Sequence, residues 1–308
     1  PYPPDIGDTE LAHNLSQPGV AGEHSASFLM KLLYSARMAA PWLTVAIQRL
    51  ATQITKWSAE ADRRLSRLFN YIHSRPDQVL SGSLATTDLA EVAVHAWPDA
   101  DLAGDVFSTK STSGRWIELA GRDGRSMPLS WACRRQGATA GHTQEAETVS
   151  LAQCLRDEAL SLQTLVQEVL RKPIPLVVKE DNSACIQAIR KGYSPTLRHL
   201  RRTQRVSVAQ LHETFEERNS EQEGDGPVSL VHAETTQHKG DLFTKYMAPA
   251  PFNEALGRLG VRSRRKRLAG GAARVKVNDV GTQSPRTALN MQIFTQRPWT
   301  AHLSLIHI

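Results

Sequence analysis

Between residues 92 and 97 the side chains alternate, Val92-Ala93-Val94-His95-Ala96-Trp97, with the two-residue period of a β-strand that buries one face. Residues 114–119, ended by Gly121, and 128–133 repeat the signature, and the short links between the three predict an antiparallel meander. From about Thr143 the period lengthens: Leu151, Leu155, Leu162, Val166 and Val169 fall at helical spacing until Pro173 stops the run. A strand over 174–179, a helix from Asn182 to Gly192, a longer helix from about Thr196 to Glu217, a strand over 228–231 and a helix around Asp241 follow. The order βββαβααβα predicts an α/β fold, a mixed five-stranded sheet with helices on both faces.

Upstream the grammar is helical. Phe28, Leu32 and Leu33 share a face; Val45, Ile47, Leu50, Ile54 and Trp57 continue after Pro41; Leu65, Leu68, Phe69 and Ile72 follow. Residues 1–24, rich in Pro, Gly, Asp and His, predict an irregular lead-in. The expected organisation is therefore a lead-in (1–24), a small helical region (25–90), a sheet domain (91–260) and a tail (261–308). The tail opens with the basic run Arg262-Ser263-Arg264-Arg265-Lys266-Arg267, which reads as a solvated, disordered segment, with a nucleic-acid-binding arm as the alternative.

Composition narrows the class. Hydrophobic residues at 40% and charged residues at 22% are ordinary for a globular chain. No apolar run approaches the roughly 18 residues that cross a bilayer, because Lys31, Arg37 and Pro41 interrupt the best candidate, so no membrane partner is expected. A net charge of +6 suits a polyanionic partner. Cys133, Cys154 and Cys185 lack metal-ligand spacing and imply a reducing compartment without a disulfide framework. The chain begins at Pro1, which reads as a piece of a longer protein.

The candidate chemistry is acidic. Asp99, Asp101 and Asp105 crowd the stretch after the first strand; by residue type alone they also suit a turn. Asp181 follows the fourth strand and reads equally as a helix N-cap, Glu147 lies in the early turns of the long helix, and Asp241 opens or precedes the last helix. Topology adds weight, since the first and fourth strands of such a sheet are neighbours and would bring Asp99 and Asp181 to one edge. Carboxylates about 4 Å apart repel by roughly 4 kcal/mol at an effective dielectric near 20, so converging acids call for hard divalent cations such as paired Mg²⁺, or for protons. An EF-hand starting at Asp99 fails, because its twelfth position is Lys110, and His95, His142, His199, His232 and His238 show no zinc-like pairing.

The ordered segments Asp99-Ala100-Asp101-Leu102-Ala103-Gly104-Asp105, Ser111-Thr112-Ser113-Gly114, Leu129-Ser130-Trp131, Arg135-Gln136, Gln144-Glu145-Ala146-Glu147, Asp181-Asn182-Ser183-Ala184 and Gly240-Asp241-Leu242-Phe243-Thr244-Lys245 resemble the ribonuclease H domain of copia-type LTR-retrotransposon Pol polyproteins. Residues 27–80 resemble the C-terminal end of the reverse transcriptase that precedes it. The resemblance implies a ribonuclease H-like fold and a two-metal endonuclease that cuts the RNA strand of RNA–DNA hybrids with Mg²⁺ or Mn²⁺. It assigns Asp99, Glu147, Asp181 and Asp241 as metal-binding catalytic carboxylates: Asp99 bridges both ions, Glu147 serves the leaving-group side and Asp241 the side of the attacking water. Glu147 is preferred to Glu145 because the small and apolar residues after it match the family's helix. Leu102, Pro98 and Thr148 depart from the family pattern. A Tyr-x-Asp-Asp polymerase motif is absent, so no DNA synthesis is expected of this chain. The implied partners are the hybrid and the reverse-transcriptase portion of the polyprotein, and the implied location is a cytoplasmic virus-like particle or the nucleus. The alternative is a non-catalytic, nucleic-acid-binding remnant of a retroelement.

Arg198, Arg201, Arg202 and Arg205, at i, i+3, i+4 and i+7 of the predicted long helix, form a candidate phosphate-tracking stripe. His232, at the end of the last predicted strand, is an auxiliary candidate for a proton shuttle, by likeness to cellular relatives of the fold.

Overall fold

The computed structural model describes residues 8–105, 108–217 and 227–264. Helices α1 (Asp8–Ser16), α2 (Ser25–Met38), α3 (Thr44–Ala51) and α4 (Ala59–Ser74) lead to a short strand β1 (Gln78–Leu80). The sheet strands are β2 (Ala93–Asp101), β3 (Thr112–Ala120) and β4 (Ser126–Arg135). Helix α5 (Thr143–Cys154) runs through a π-turn (Leu155–Ala159) into α6 (Leu160–Leu170). Then come β5 (Leu176–Glu180), α7 (Ser183–Lys191), α8 (Leu200–Thr203), α9 (Val208–Glu217), β6 (Val228–His232), α10 (Pro249–Arg258) and β7 (Val261–Ser263).

The five-stranded sheet has the order β4-β3-β2-β5-β6. The first three strands pair antiparallel, and β2-β5 and β5-β6 pair parallel, so the chain is the mixed α/β fold expected. Alternation along the strands feeds two cores. Val94, Ala96, Ile117 and Leu119 face a core shared with Val149, Leu155 and Val166 of the long helix and Leu211 and Phe215 of α9. Trp97 and Trp116 point the other way and pack with Leu242, Phe243 and Leu256. A β-bulge near Leu129 lets β4 serve both: Met127 and Leu129 pack on the first core, while Trp131 and Cys133 pack on the second.

Four expectations need correcting. The lead-in is not wholly irregular, because α1 occupies Asp8–Ser16, with Glu10 in its first turn and His13 in its last, a charge order that favours the helix dipole, until Pro18 ends it. The region expected to be helical as far as residue 90 contains β1, and the tail expected to be disordered from 261 begins with β7. These two strands pair with each other, Gln78 opposite Ser263. The basic run from Arg265 onward lies outside the described residues. The single helix over 196–217 is three pieces: a 3₁₀ turn (Pro195–Leu197), α8 and α9. Arg205 adopts a left-handed φ of 55°, Val206 N–H reaches back to Leu200 C=O (3.2 Å), and Leu200 and Val206 are thereby both buried. Ser207 Oγ then accepts from Gln210 N–H (3.4 Å) at the start of α9. No helix among the described residues is long and apolar enough to cross a membrane.

Candidate metal centre

Asp99 lies inside β2 rather than in a turn, opposite Gly114 of β3, and is fully buried. Asp181 follows β5 directly. Asp99 and Asp181 each stand three residues beyond Ala96 and Val178, the last paired couple of β2 and β5. The N-cap of α7 is Asn182, whose side chain accepts from Cys185 N–H (2.9 Å), so Asp181 is not consumed by capping. Glu147 comes from the second turn of α5, which Ser150 seats on the strand by donating to Asp99 C=O (2.7 Å). Asp241 sits in a 3₁₀ turn (Gly240–Phe243), not a long helix, and that turn packs across β2 and β3.

Carboxylate oxygens of Asp99, Glu147 and Asp181 lie within 4.8 Å of one another. Asp99 and Asp241 form a second set, within the same limit, with a ring nitrogen of His238. The two sets share Asp99. All four acids read from the sequence therefore meet in one place. Glu145 is committed elsewhere: it accepts from Gly141 N–H (2.8 Å) and pairs with His199 Nε2 (2.8 Å), which makes it a cap and loop anchor.

The electrostatics follow from this crowding. Burial, reinforced by Asp241, pushes the Asp99 carboxyl up to about 7, although Lys245 pulls against it. Burial and the charges of Asp99, Glu180 and Asp181 push Glu147 up strongly. Glu180, buried beside the site, rises to about 8, through burial and then the charges of Asp181 and Asp99, against a hydrogen bond from Asn182 N–H. Among the described residues, Glu147 Oε2 and Glu180 Oε2 are buried without a hydrogen-bond partner. Orphaned carboxylate oxygens beside two more acids are the donor set that a hard divalent cation satisfies, so the residues present fit one.

Site residues that sequence reasoning missed include Lys245, Thr244, His238, Glu180 and Arg49. Lys245 Nζ reaches Asp99 Oδ1 (3.1 Å) and Asp241 Oδ1, and the Thr244 hydroxyl donates to Asp99 Oδ2. Arg49, buried on α3, donates through Nη2 to Asp101 Oδ2 (2.8 Å) and Thr244 C=O (3.3 Å), with its guanidinium over the Tyr246 ring. One guanidinium thus ties the β2 end to the turn that carries Asp241. Gly104 makes room, since a Cβ there would overlap Asp101 Oδ2 and fall 2.7 Å from Arg49 Nη2. Asp105 takes Arg135 Nη1 (2.9 Å). The three acids of the opening motif therefore have three separate jobs. Lys245 and Thr244 belong to the recognised Gly-Asp-Leu-Phe-Thr-Lys segment, which is a signal that could have found them; Arg49 carries none in local sequence.

The remaining candidates belong to neither ligand set. Arg198, Arg201, Arg202 and Arg205 are exposed but do not line one helix face, because the chain turns at Arg205; Arg198 stacks on Tyr193, 5.1 Å from its centroid. His232 is exposed at the end of β6, opposite Glu180 in register.

A pH dependence follows from the raised acids. Asp99 and Glu180 hold protons in the fold that the unfolded chain releases near pH 4, so metal-free stability falls as pH rises from about 4 to about 8. Melting temperatures at pH 5, 6.5 and 8 in chelator should decline, and Mn²⁺ should restore them most at pH 8. Coincident chelator and Mn²⁺ curves would contradict a shared charge site.

The chain is 24% identical over 222 residues to the retrovirus-related Pol polyprotein from transposon RE1 of Arabidopsis thaliana, a match that covers 72% of this chain and 14% of that protein. The polyprotein from transposon RE2 of the same plant matches to the same extent, 24% over 222 residues. The chain thus spans about a seventh of the curated relatives it matches. A solved foamy-virus protease–reverse transcriptase shares 14% identity at a TM-score of 0.26, over 55% of this chain and 20% of that one. No family model matches the chain.

Proposed function

We propose, on the premise that this chain is of retrotransposon Pol origin, that its sheet domain is a divalent-metal-dependent endonuclease acting on the RNA strand of RNA–DNA hybrids. The observation that carries the reading is the meeting of Asp99, Glu147, Asp181 and Asp241 as two ligand sets joined at Asp99. Mg²⁺ or Mn²⁺ ions bound there would supply Lewis acidity and charge neutralisation for phosphodiester hydrolysis. Asp99 is placed to serve both sets, Glu147 and Asp181 one, and Asp241 the other. Rigid elements hold them: a paired strand, a strand-to-helix junction, a helix seated by Ser150, and a turn clipped by Arg49. Lys245 supplies positive charge at the rim.

Exposed Arg198, Arg201, Arg202 and Arg205 give a basic surface suited to a polyanionic backbone, with no base-edge reading implied. Reversing Arg201 and Arg202 to Glu should weaken hybrid binding and reduce the slope of log affinity against log salt by roughly one for each phosphate no longer neutralised. Unchanged affinity and slope in a filter-binding titration would remove these residues from the interface. The reverse-transcriptase portion of the polyprotein as partner, and a virus-like particle or the nucleus as location, belong to the same proposal.

The decisive assay is a hybrid labelled on each strand in turn, incubated with Mg²⁺ or with chelator. RNA-strand fragments that appear only with the metal are expected. An uncut hybrid, or cleavage indifferent to chelator, overturns the reading.

A further inference from the structure

We infer that His238 is a ligand of the cation position shared by Asp99 and Asp241, making it a two-carboxylate, one-imidazole site that favours Mn²⁺ and other nitrogen-accepting transition ions over Mg²⁺. The inference rests on the reading that the carboxylates hold divalent ions, and it adds a ligand and a metal preference to it.

His238 is 1% exposed, and one of its ring nitrogens lies within 4.8 Å of carboxylate oxygens of both Asp99 and Asp241. Its Nε2 is 2.9 Å from Lys179 C=O. A carbonyl oxygen only accepts, so Nε2 carries the hydrogen and Nδ1 keeps its lone pair. Among the described residues Nδ1 has no hydrogen-bond partner. An imidazole that gives one N–H to a backbone carbonyl and keeps the other nitrogen bare is oriented as metal-bound histidines are.

The backbone is shaped for this neighbour. A Cβ on Gly240 would fall 2.8 Å from Asp99 Cβ and 2.8 Å from His238 Cε1, so only glycine at 240 lets carboxylate and imidazole flank the turn together. The ring also stands edge-on to Trp97 at 5.6 Å, which restrains its rotation. Lys245 Nζ bridges the same two carboxylates from a side chain 36% exposed, so a bound cation can take over that charge while the ammonium swings outward. Imidazole suits transition ions, whereas Mg²⁺ favours oxygen and water, so an Asp₂His set shifts preference toward the former.

Pulsed electron paramagnetic resonance of the full chain loaded with Mn²⁺ alone, without nucleic acid, tests this. The wild type should show ¹⁴N modulation; His238→Gln should lose it, and Glu147→Gln, in the other ligand set, should keep it. Calorimetry should give a Mn²⁺-over-Mg²⁺ preference that falls by about tenfold in His238→Gln. Should that variant not fold, ¹⁵N-histidine labelling of the unaltered chain must convert the ¹⁴N pattern to a ¹⁵N one. Bound Mn²⁺ without nitrogen modulation, or modulation unchanged in His238→Gln, overturns the inference, and a chain that binds no Mn²⁺ removes it together with the carboxylate reading. Nitrogen coupling in a chain that cuts no hybrid upholds the ligand while refuting the endonuclease.

Discussion

Asp99→Asn should abolish cleavage of an RNA–DNA hybrid, by about 10²–10³-fold or more, the usual cost of deleting one preorganised charged group at a reacting centre. Asp99 is the residue common to both ligand sets, so its loss impairs both at once. Folding should survive. The Asn carbonyl still accepts from Thr244, and removal of one negative charge relieves Glu147, Glu180 and Asp241. Asp181→Asn should behave alike, through one set only. The check is single-turnover cleavage beside circular dichroism. A folded Asp99→Asn that cuts at a tenth of the wild-type rate or faster ends the assignment.

The largest stability effect is expected at Glu118, a buried carboxylate on β3. It takes Lys239 Nζ on both oxygens (2.7 Å each), Trp97 Nε1 (3.1 Å), Trp116 Nε1 (3.0 Å) and Ser126 Oγ (2.8 Å). Burial alone would raise this carboxyl, but the charge of Lys239 and the donated hydrogen bonds outweigh it and hold the group below its ordinary range. Its contribution is therefore complete above the unfolded value, near 4.5, and disappears as pH falls through the folded one, opposite in sign to the metal-site acids. Glu118→Leu leaves a partly buried ammonium and two buried indole N–H groups without their acceptor, a loss of about 3 kcal/mol. Glu118→Leu combined with Lys239→Met should be less damaging than Glu118→Leu alone, because the stranded charge goes too. Chemical denaturation at pH 7 measures both; strictly additive losses would deny the coupling. Lys239 immediately precedes Gly240 and Asp241, so the same substitution should also loosen the turn that carries Asp241.

Local pattern reached some of this and not the rest. The period-two runs at 92–97, 114–119 and 128–133 made the meander legible, because each strand buries one face. Asp99 looked like a turn residue because Pro98, Asp101 and Gly104 surround it; pairing with Gly114 across the ladder overrides that composition. The break at Arg205 was hidden by helix-forming neighbours, although Ser207 ahead of Val208 carried a cap signal. Of the candidate acids, spacing left each with a plainer explanation, and the ordered segments shared with retrotransposon polyproteins singled them out. Glu180 and His238 adjoin Asp181 and Asp241 in sequence, but their approach to Asp99, like Arg49's to Asp101 and Thr244, is made only by tertiary contact. Nothing in the residues beside them announces a partner scores of positions away.

The pairing of β1 with β7 has an effect on how the domain can be carried. Val79 lies opposite Arg262, so the polypeptide enters and leaves the sheet domain through one antiparallel clasp. A module whose two gates adjoin can hang from a long precursor as a side loop, and neighbouring segments need not be stretched or rerouted to accommodate it. Opening that clasp, by Val79→Pro for instance, would separate the gates while leaving every carboxylate on its own strand, helix, junction or turn.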